Sequence, residues 1–382
     1  MKEQLKRLVR RMAKHPVPER VMRGVIGAFA RINPELSSLL SSRGPADGLH
    51  FPLAVREDVA GLLDQIPSET SPNERRFLYR FFSTIWSGRN DVVEIGPFLG
   101  GTSRAIALGM CDNPRVSDNA KLYTYDRFHG YYDHRRLREF LSPLVKSGIV
   151  DQCELCDLGN SAEFMDIFTR IHDGHAYYRR VVPTSCALPD RPEDLQGRKE
   201  HLRIPNTMLT DAVFVDGCKS WFGTKYFMRE VCRAATPGTY FIYQDYGWHT
   251  CFWIPAFIEL LRSYFHMIGY VDTTYAFVLA KPLNVEAIDT RFPDEPCDLD
   301  EDRMVDIFES LIQEAGGRND YYAVVRHTLQ KAGALAYVGQ KSRAKEIITA
   351  VKKKPWAAGH EEIIAAALES PTYTPRGKIL LE

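Results

Sequence analysis

Four groups of chemistry-bearing residues stand directly behind short apolar runs in this chain. EIGPFLGG, residues 94–101, follows DVV; Asp126 ends YTYD; DGCK, residues 216–219, follows AVFV; QDYG, residues 244–247, follows YFIY. A glycine-rich turn lets backbone approach a ligand, and the start of the following helix offers free N–H groups. An aspartate at the end of a second strand can accept two hydrogen bonds from the hydroxyls of a ribose. Carboxylates ending neighbouring strands, here Asp216 and Asp245, can hold a divalent cation through hard oxygen ligands or position and deprotonate a hydroxyl. The glycine turn lacks the G-x-G-x-x-G dinucleotide fingerprint, because Phe98 occupies the middle glycine. It also lacks the Gly-Lys-Ser/Thr of a phosphate-binding loop. Both features argue against a nicotinamide cofactor or a nucleoside triphosphate.

These residues need a scaffold that brings strand ends together. The texture from about residue 75 supplies one, because strand and helix patterns alternate. Helices are predicted over 73–86, 102–110, 221–235 and 254–264. Strands are predicted over 91–96, 122–125, 149–156, 212–215 and 240–243, closed by a hairpin from 266 to 281. Such alternation implies a mainly parallel sheet with helices on both faces, and the hairpin adds an antiparallel edge. In an open parallel sheet, ligands bind beyond the carboxyl ends of the strands where strand order switches. The stretch 157–210 is too long for a simple crossover and reads as an insertion beside the site.

The ordered set VVEIGPFLGGTSRAIA, YTYDRFHG, VFVDGCKSWFGTKYFMREV and PGTYFIYQDYGW resembles the class I S-adenosylmethionine-dependent methyltransferases. Within them it is most similar to the macrocin O-methyltransferase-like group, which acts on sugar hydroxyls of natural products. The resemblance covers roughly residues 75–285. It implies an α/β, Rossmann-like methyltransferase fold with helical extensions at 1–74 and 286–382. It implies S-adenosylmethionine as cofactor and a hydroxyl of a small molecule, a sugar or glycosylated natural product, as methyl acceptor. Glu94, Gly96, Gly100, Gly101 and Thr102 would shape the pocket for the methionine end. Asp126, with Arg127 and Phe128, would hold the ribose side. Asp216 and Asp245 match positions that hold Mg2+ in some members. Two departures stand out: Gln244 replaces the first aspartate of Asp-Asp-Tyr-Gly, and Lys219 stands where related sequences often carry histidine. Catalytic candidates are Asp216, Lys219 and His249. His249 is the first choice of general base, because its ordinary pKa suits the task. An N-methyltransferase, another S-adenosylmethionine-binding enzyme and a non-catalytic scaffold of the same fold are the alternatives.

The rest of the chain bounds these readings. Lys+Arg and Asp+Glu both total 49, so no charge excess points to nucleic acid. The 8 cysteines are scattered, which fits a reducing compartment and a cytoplasmic location. No apolar run is long enough to span a bilayer. The basic amphipathic helices expected over 1–45 fit packing on the body, on a second copy in a homodimer, or on an anionic membrane surface. Cys153 and Cys156 have zinc-ribbon spacing without a second pair. His172 and His175 read as a polar loop. Tyr131, Tyr132 and His134 are candidates to stack on adenine or acceptor, and Trp248 and Trp253 to form a sugar wall. Residues 299–370 read as polar helices.

Overall fold

The computed structural model describes residues 51, 53–151, 163–196 and 200–381. The expected amino-terminal helices and the Cys153/Cys156 pair lie outside them.

Apolar, β-branched runs make the strands: β1 (Asp91–Ile95), β2 (Leu122–Asp126), β3 (Val181–Ser185), β4 (Thr210–Val215), β5 (Ala235–Tyr243), β6 (Phe265–Val271) and β7 (Thr274–Leu279). They form one seven-stranded sheet in the order β3-β2-β1-β4-β5-β7-β6. β1 to β5 pair in parallel, whereas β7 runs antiparallel to β5 and β6 antiparallel to β7. This is the Rossmann-like methyltransferase fold that the motifs imply. β1 and β4 are continuously buried along their apolar residues, as expected of strands covered by helices on both faces. The chain leaves β1 for β2 and β3, then returns to β4 on the other side of β1. The switch in strand order therefore lies between β1 and β4, and their carboxyl ends frame a crevice.

One strand differs from the expectation. Residues 149–151 carry no strand, and the third strand is Val181–Ser185 instead. Pro183 within it obscures the pattern, since proline breaks a ladder in a central strand. β3 is an edge strand paired on one side with β2, where proline is tolerated. Part of the stretch read as an insertion, 165–185, thus supplies a helix and an edge of the sheet. Between β3 and β4, residues 186–196 and 200–209 supply part of the wall of the site.

The helices around the sheet are α1 (Glu57–Asp64), α2 (Pro72–Arg80), α3 (Gly101–Asp112), α4 (His134–Lys146), α5 (Met165–His172), α6 (Trp221–Val231), α7 (Trp253–Leu260) and α8 (Val285–Arg291). α2 starts at a capping box, in which Ser71 and Glu74 satisfy each other's backbone N–H groups. It passes into a wider turn over Phe81–Ile85 rather than running on to Trp86 as one helix. The Glu74 carboxylate also accepts the hydroxyls of Thr273 and Thr274, both at 2.8 Å, and so ties α2 to the β6–β7 turn.

Beyond the sheet come α9 (Glu301–Gly317), α10 (Tyr321–Tyr337), α11 (Lys341–Lys352), α12 (Glu361–Glu369) and a hairpin of β8 (Thr372–Thr374) and β9 (Gly377–Ile379). They belong to the same compact unit, Gly48–Glu382. α10 grips the loop after β5. Gln330, fully buried, donates its amide to the carbonyls of Tyr246 (2.7 Å) and Trp248 (2.9 Å), and Arg326 donates to that of Gly247 (3.2 Å). Tyr373 of the hairpin packs edge-on against Trp253. Among the described residues no helix is long and apolar enough to cross a membrane.

Candidate functional site

The first motif is built around close backbone approach. Gly96 ends β1 at φ +82°, and a Cβ there would lie 2.8 Å from the Gly217 nitrogen at the end of β4. The two strand ends can meet only without side chains. Glu94, one turn deeper, is fully buried. It accepts the Thr102 hydroxyl at 2.6 Å and the Ser103 hydroxyl at 2.5 Å. Glu94 therefore fastens the start of α3 to β1 from beneath the cavity. Burial pushes its carboxyl up to about 7, a rise that the two hydroxyls oppose.

Gly100 follows at φ +84° and rests on His172. His172 is fully buried rather than part of a polar loop, because α5 delivers it under the turn. Its Nε2 meets the Leu99 carbonyl at 3.0 Å, so that nitrogen must donate. Burial, with Arg104 adding to it, pulls its pKa down to about 3. The ring is thus neutral, and Nδ1 accepts from the Tyr177 hydroxyl at 2.9 Å. Tyr177 in turn accepts from Arg104 Nε at 2.8 Å. Gly101 packs on Ser68, whose Cβ would stand 2.9 Å from an added methyl.

Asp126 ends β2. Its Oδ1 accepts the Phe128 N–H at 2.9 Å and its Oδ2 the Phe98 N–H at 3.2 Å. Both phenylalanines carry positive φ, 53° and 52°. Such backbone is costly for a bulky residue and concentrates at functional sites. The carboxylate thus locks two strained loops in place. Burial raises its pKa against the pull of these N–H groups.

The third and fourth motifs meet. Lys219 Nζ lies 3.0 Å from Asp216 Oδ1 and 2.5 Å from Asp245 Oδ2. Asp245 is a further non-glycine residue in the left-handed region, at φ 63°. Burial pushes the Asp216 carboxyl up and the charge of Asp245 adds to the rise, while Lys219 opposes it. Burial would lower the Lys219 ammonium, but the two carboxylates outweigh it and hold its pKa well above the ordinary value. The two carboxylates therefore favour the charged form of Lys219. Its ammonium stands where the sequence reading placed a divalent ion. Among the described residues no group of three or more His, Cys, Asp or Glu side chains is arranged to hold a metal.

One cavity of about 370 Å³ joins these features. Gly96, Phe98, Thr102, Asp126, Arg127, Asp216, Gly217 and Lys219 line it; Thr102 comes from the first turn of α3 and the others from strand ends or the turns after them, while Asp245 is not in the lining. Its size falls in the range of small-molecule sites, and it sits where an open α/β sheet places them. Phe128 backs the cavity from the core, packed on Phe164 and Phe168. Glu94, Gly100 and Gly101 act from behind the wall.

Several expectations fall away from the cavity. His249 is buried and does not line it; the loop after β5 turns its ring toward Trp248 and the charge of Arg326. Among the described residues its Nδ1 has no hydrogen-bond partner, and burial pulls its pKa down to about 4. His249→Gln is expected to leave cofactor affinity within about twofold of wild type, since the change touches no lining residue. A titration showing a larger loss would return His249 to the site. Gln244 is buried behind the cavity. Trp253 is core, while Trp248 is exposed and lies under Arg326. His134 opens α4 at the surface and also misses the cavity.

Other residues enter that the sequence did not single out. Ser68 and Glu69, from the loop between α1 and α2, line the cavity, as do Cys186, Leu188, Asp190 and Leu202 from between β3 and β4. Glu69 accepts the hydroxyls of Tyr131, at 3.0 Å, and Tyr132. Tyr131 lines the cavity and is half exposed at its mouth. Asp190 accepts the Ser220 hydroxyl at 3.0 Å, which ties this part of the wall to the start of α6. Nothing in local spacing marks these residues, because they arrive from distant parts of the chain.

No protein-family model and no curated protein matches the chain. Solved structures do. An O-methyltransferase from Bacillus cereus in complex with S-adenosylhomocysteine is 14% identical, over 68% of this chain and 97% of that one, with a TM-score of 0.32. The O-methyltransferase NovP is 16% identical, over 55% and 78%, with a TM-score of 0.33. CalS11, a TDP-rhamnose 3′-O-methyltransferase of calicheamicin biosynthesis, is 13% identical, over 72% and 93%, with a TM-score of 0.30. At these values the likeness adds nothing to what strand order and site geometry say.

Proposed function

We propose that this chain is an S-adenosylmethionine-dependent O-methyltransferase acting on a hydroxyl of a small molecule. The observation that carries the reading is a single cavity lined by Asp126, Asp216 and Lys219, with Asp245 reaching Lys219 from outside the lining. Asp126 suits the ribose of the cofactor. A carboxylate has about four acceptor positions, and the two backbone N–H groups leave the others free for a pair of vicinal hydroxyls. The Gly96 turn and the start of α3 would take the methionine end, with Thr102 at the wall.

The reaction is a displacement. Bound S-adenosylmethionine would supply a methyl on a sulfonium, which an acceptor oxygen would take with loss of the neutral thioether. The hydroxyl proton must go to a base. Among the three sequence candidates, His249 lies off the cavity and the carboxylates favour the charged form of Lys219, so Asp216 is the proposed base. Burial raises its basicity toward the working range of a general base. Holding acceptor and methyl in line supplies much of the rate. A sugar or glycosylated natural product remains the proposed acceptor class, and the Asp190 carboxylate in the lining suits a hydroxyl-bearing ligand.

Calorimetric titration with S-adenosylhomocysteine tests the reading. Binding of one equivalent in the micromolar range, about −8 kcal/mol, is expected. Absence of binding would leave the fold as a scaffold without this cofactor.

A further inference from the structure

The acidic strand ends already contain a cation. Lys219 follows Asp216 by three residues, so the turn after β4 brings its own counter-ion to the carboxylate it carries. Asp245 comes from the next strand, and its side chain is 14% exposed, against 18% for Asp216 and 30% for Lys219. The aim of Asp245 is enforced. Its backbone sits in the left-handed region, and Gln330 of α10 clamps the residues on either side of Gly247 through two carbonyls. Lys219 does not reach this place as a mobile surface side chain. It lines the cavity with its charge held between both carboxylates.

We propose that the Lys219 ammonium is the permanent cation of this site and stands in place of a divalent metal ion. The inference rests on the methyltransferase reading for its role in catalysis, but its geometry is independent of it. A divalent ion binding both carboxylates would have to enter the volume that Nζ occupies. It would also meet the positive charge of an ammonium that already contacts Asp216 Oδ1 and Asp245 Oδ2. Magnesium further demands near-octahedral oxygen coordination at about 2.0–2.1 Å, and an ammonium at hydrogen-bond distance from both acids competes with it for their oxygens. Charge counting shows what the exchange achieves. A divalent ion neutralises two carboxylates completely, whereas one ammonium leaves one negative charge over, within reach of the acceptor hydroxyl. Lys219 is thus a positioning residue, fixing Asp216 and Asp245 without drawing off all their charge.

The test is manganese binding to the full-length protein, followed by the loss of the free-ion electron paramagnetic resonance signal. Wild type, Lys219→Ala and Lys219→Ala/Asp245→Asn are compared, with thermal melts to check folding. Wild type is expected to take up no stoichiometric Mn2+. Lys219→Ala is expected to gain one site, at least about tenfold tighter than any binding to wild type, and the double variant to lose it again. Should Lys219→Ala fail to fold, Lys219→Gln removes the charge while keeping length and hydrogen bonding, and the same gain is expected. One equivalent of Mn2+ on wild type, lost in Asp245→Asn, would overturn the proposal. So would a folded Lys219→Ala protein that gains no site. Titration of wild type with S-adenosylhomocysteine, with and without chelator, is run beside it, and equal affinities are expected. If that ligand fails to bind in either condition, the methyltransferase reading fails while the manganese result still decides whether Lys219 occupies the cation position.

Discussion

Replacing Asp126 with alanine is expected to weaken S-adenosylhomocysteine binding by about 100-fold or more, from the loss of charge-assisted hydrogen bonds worth about 1.5–3 kcal/mol each. The effect has two sources. The first is direct, because the carboxylate oxygens that remain free would no longer meet the ribose hydroxyls. The second runs through the loops. Asp126 accepts the N–H groups of Phe98 and Phe128, both held at positive φ. Without an acceptor, these donors face the cavity unpaired and the strained turns have less to hold them. Asp126→Asn separates the contributions. It keeps one carbonyl oxygen as acceptor but removes the charge, and a loss of about tenfold is expected. Calorimetry reads both values, and a thermal melt reads the structural share. If Asp126→Ala binds as wild type does, the ribose assignment is wrong.

Why these residues could be read from sequence, and others could not, follows from how each reaches the site. Glu94, Gly96, Asp126, Asp216 and Asp245 each stand at the end of an apolar run that had to be a strand. In a parallel sheet all strand ends share one edge, so their convergence needs no knowledge of tertiary packing. The same argument gave the closing hairpin, because 266–281 alternates around a turn. The third strand escaped because Pro183 lies inside it and because an edge strand needs no full ladder. His249 lies off the cavity for a different reason. Spacing placed it close to Asp245, but the loop clamped by Gln330 turns it inward, and α10 lies too far along the chain for spacing to report. Glu69, Asp190 and His172 are long-range contributions of the same kind. Lys219 was visible as a departure from the related pattern. Its place between two carboxylates was not visible, since that depends on β5 lying beside β4.

The glycine turn gives the largest expected effect on stability. Gly100→Ala is expected to destabilise the fold by about 3–5 kcal/mol, the sum of a left-handed non-glycine residue and an overpacked contact. At φ +84° an added Cβ would stand 2.0 Å from His172 Nε2 and 2.7 Å from Phe168. His172 cannot swing aside. Leu99 and Tyr177 hold its two nitrogens, and Arg104 holds Tyr177 in turn. The turn itself would therefore have to move, and with it Phe98, whose N–H meets Asp126. Gly148→Ala is the control, since it carries φ +71° with nothing within 4 Å of the added atom. It should cost only the backbone strain, about 1–2 kcal/mol. Equal losses in urea melts of the two variants would show that His172 does not brace the turn. A double variant, Gly100→Ala with His172→Ala, tests the same contact from the other side. It removes the obstacle as well as the brace, so its loss should fall short of the sum of the single losses. Simple additivity would mean that the two residues do not share a contact. A shortfall would make His172, which follows Gly100 only after α3, β2 and α4, the strut on which the glycine turn rests.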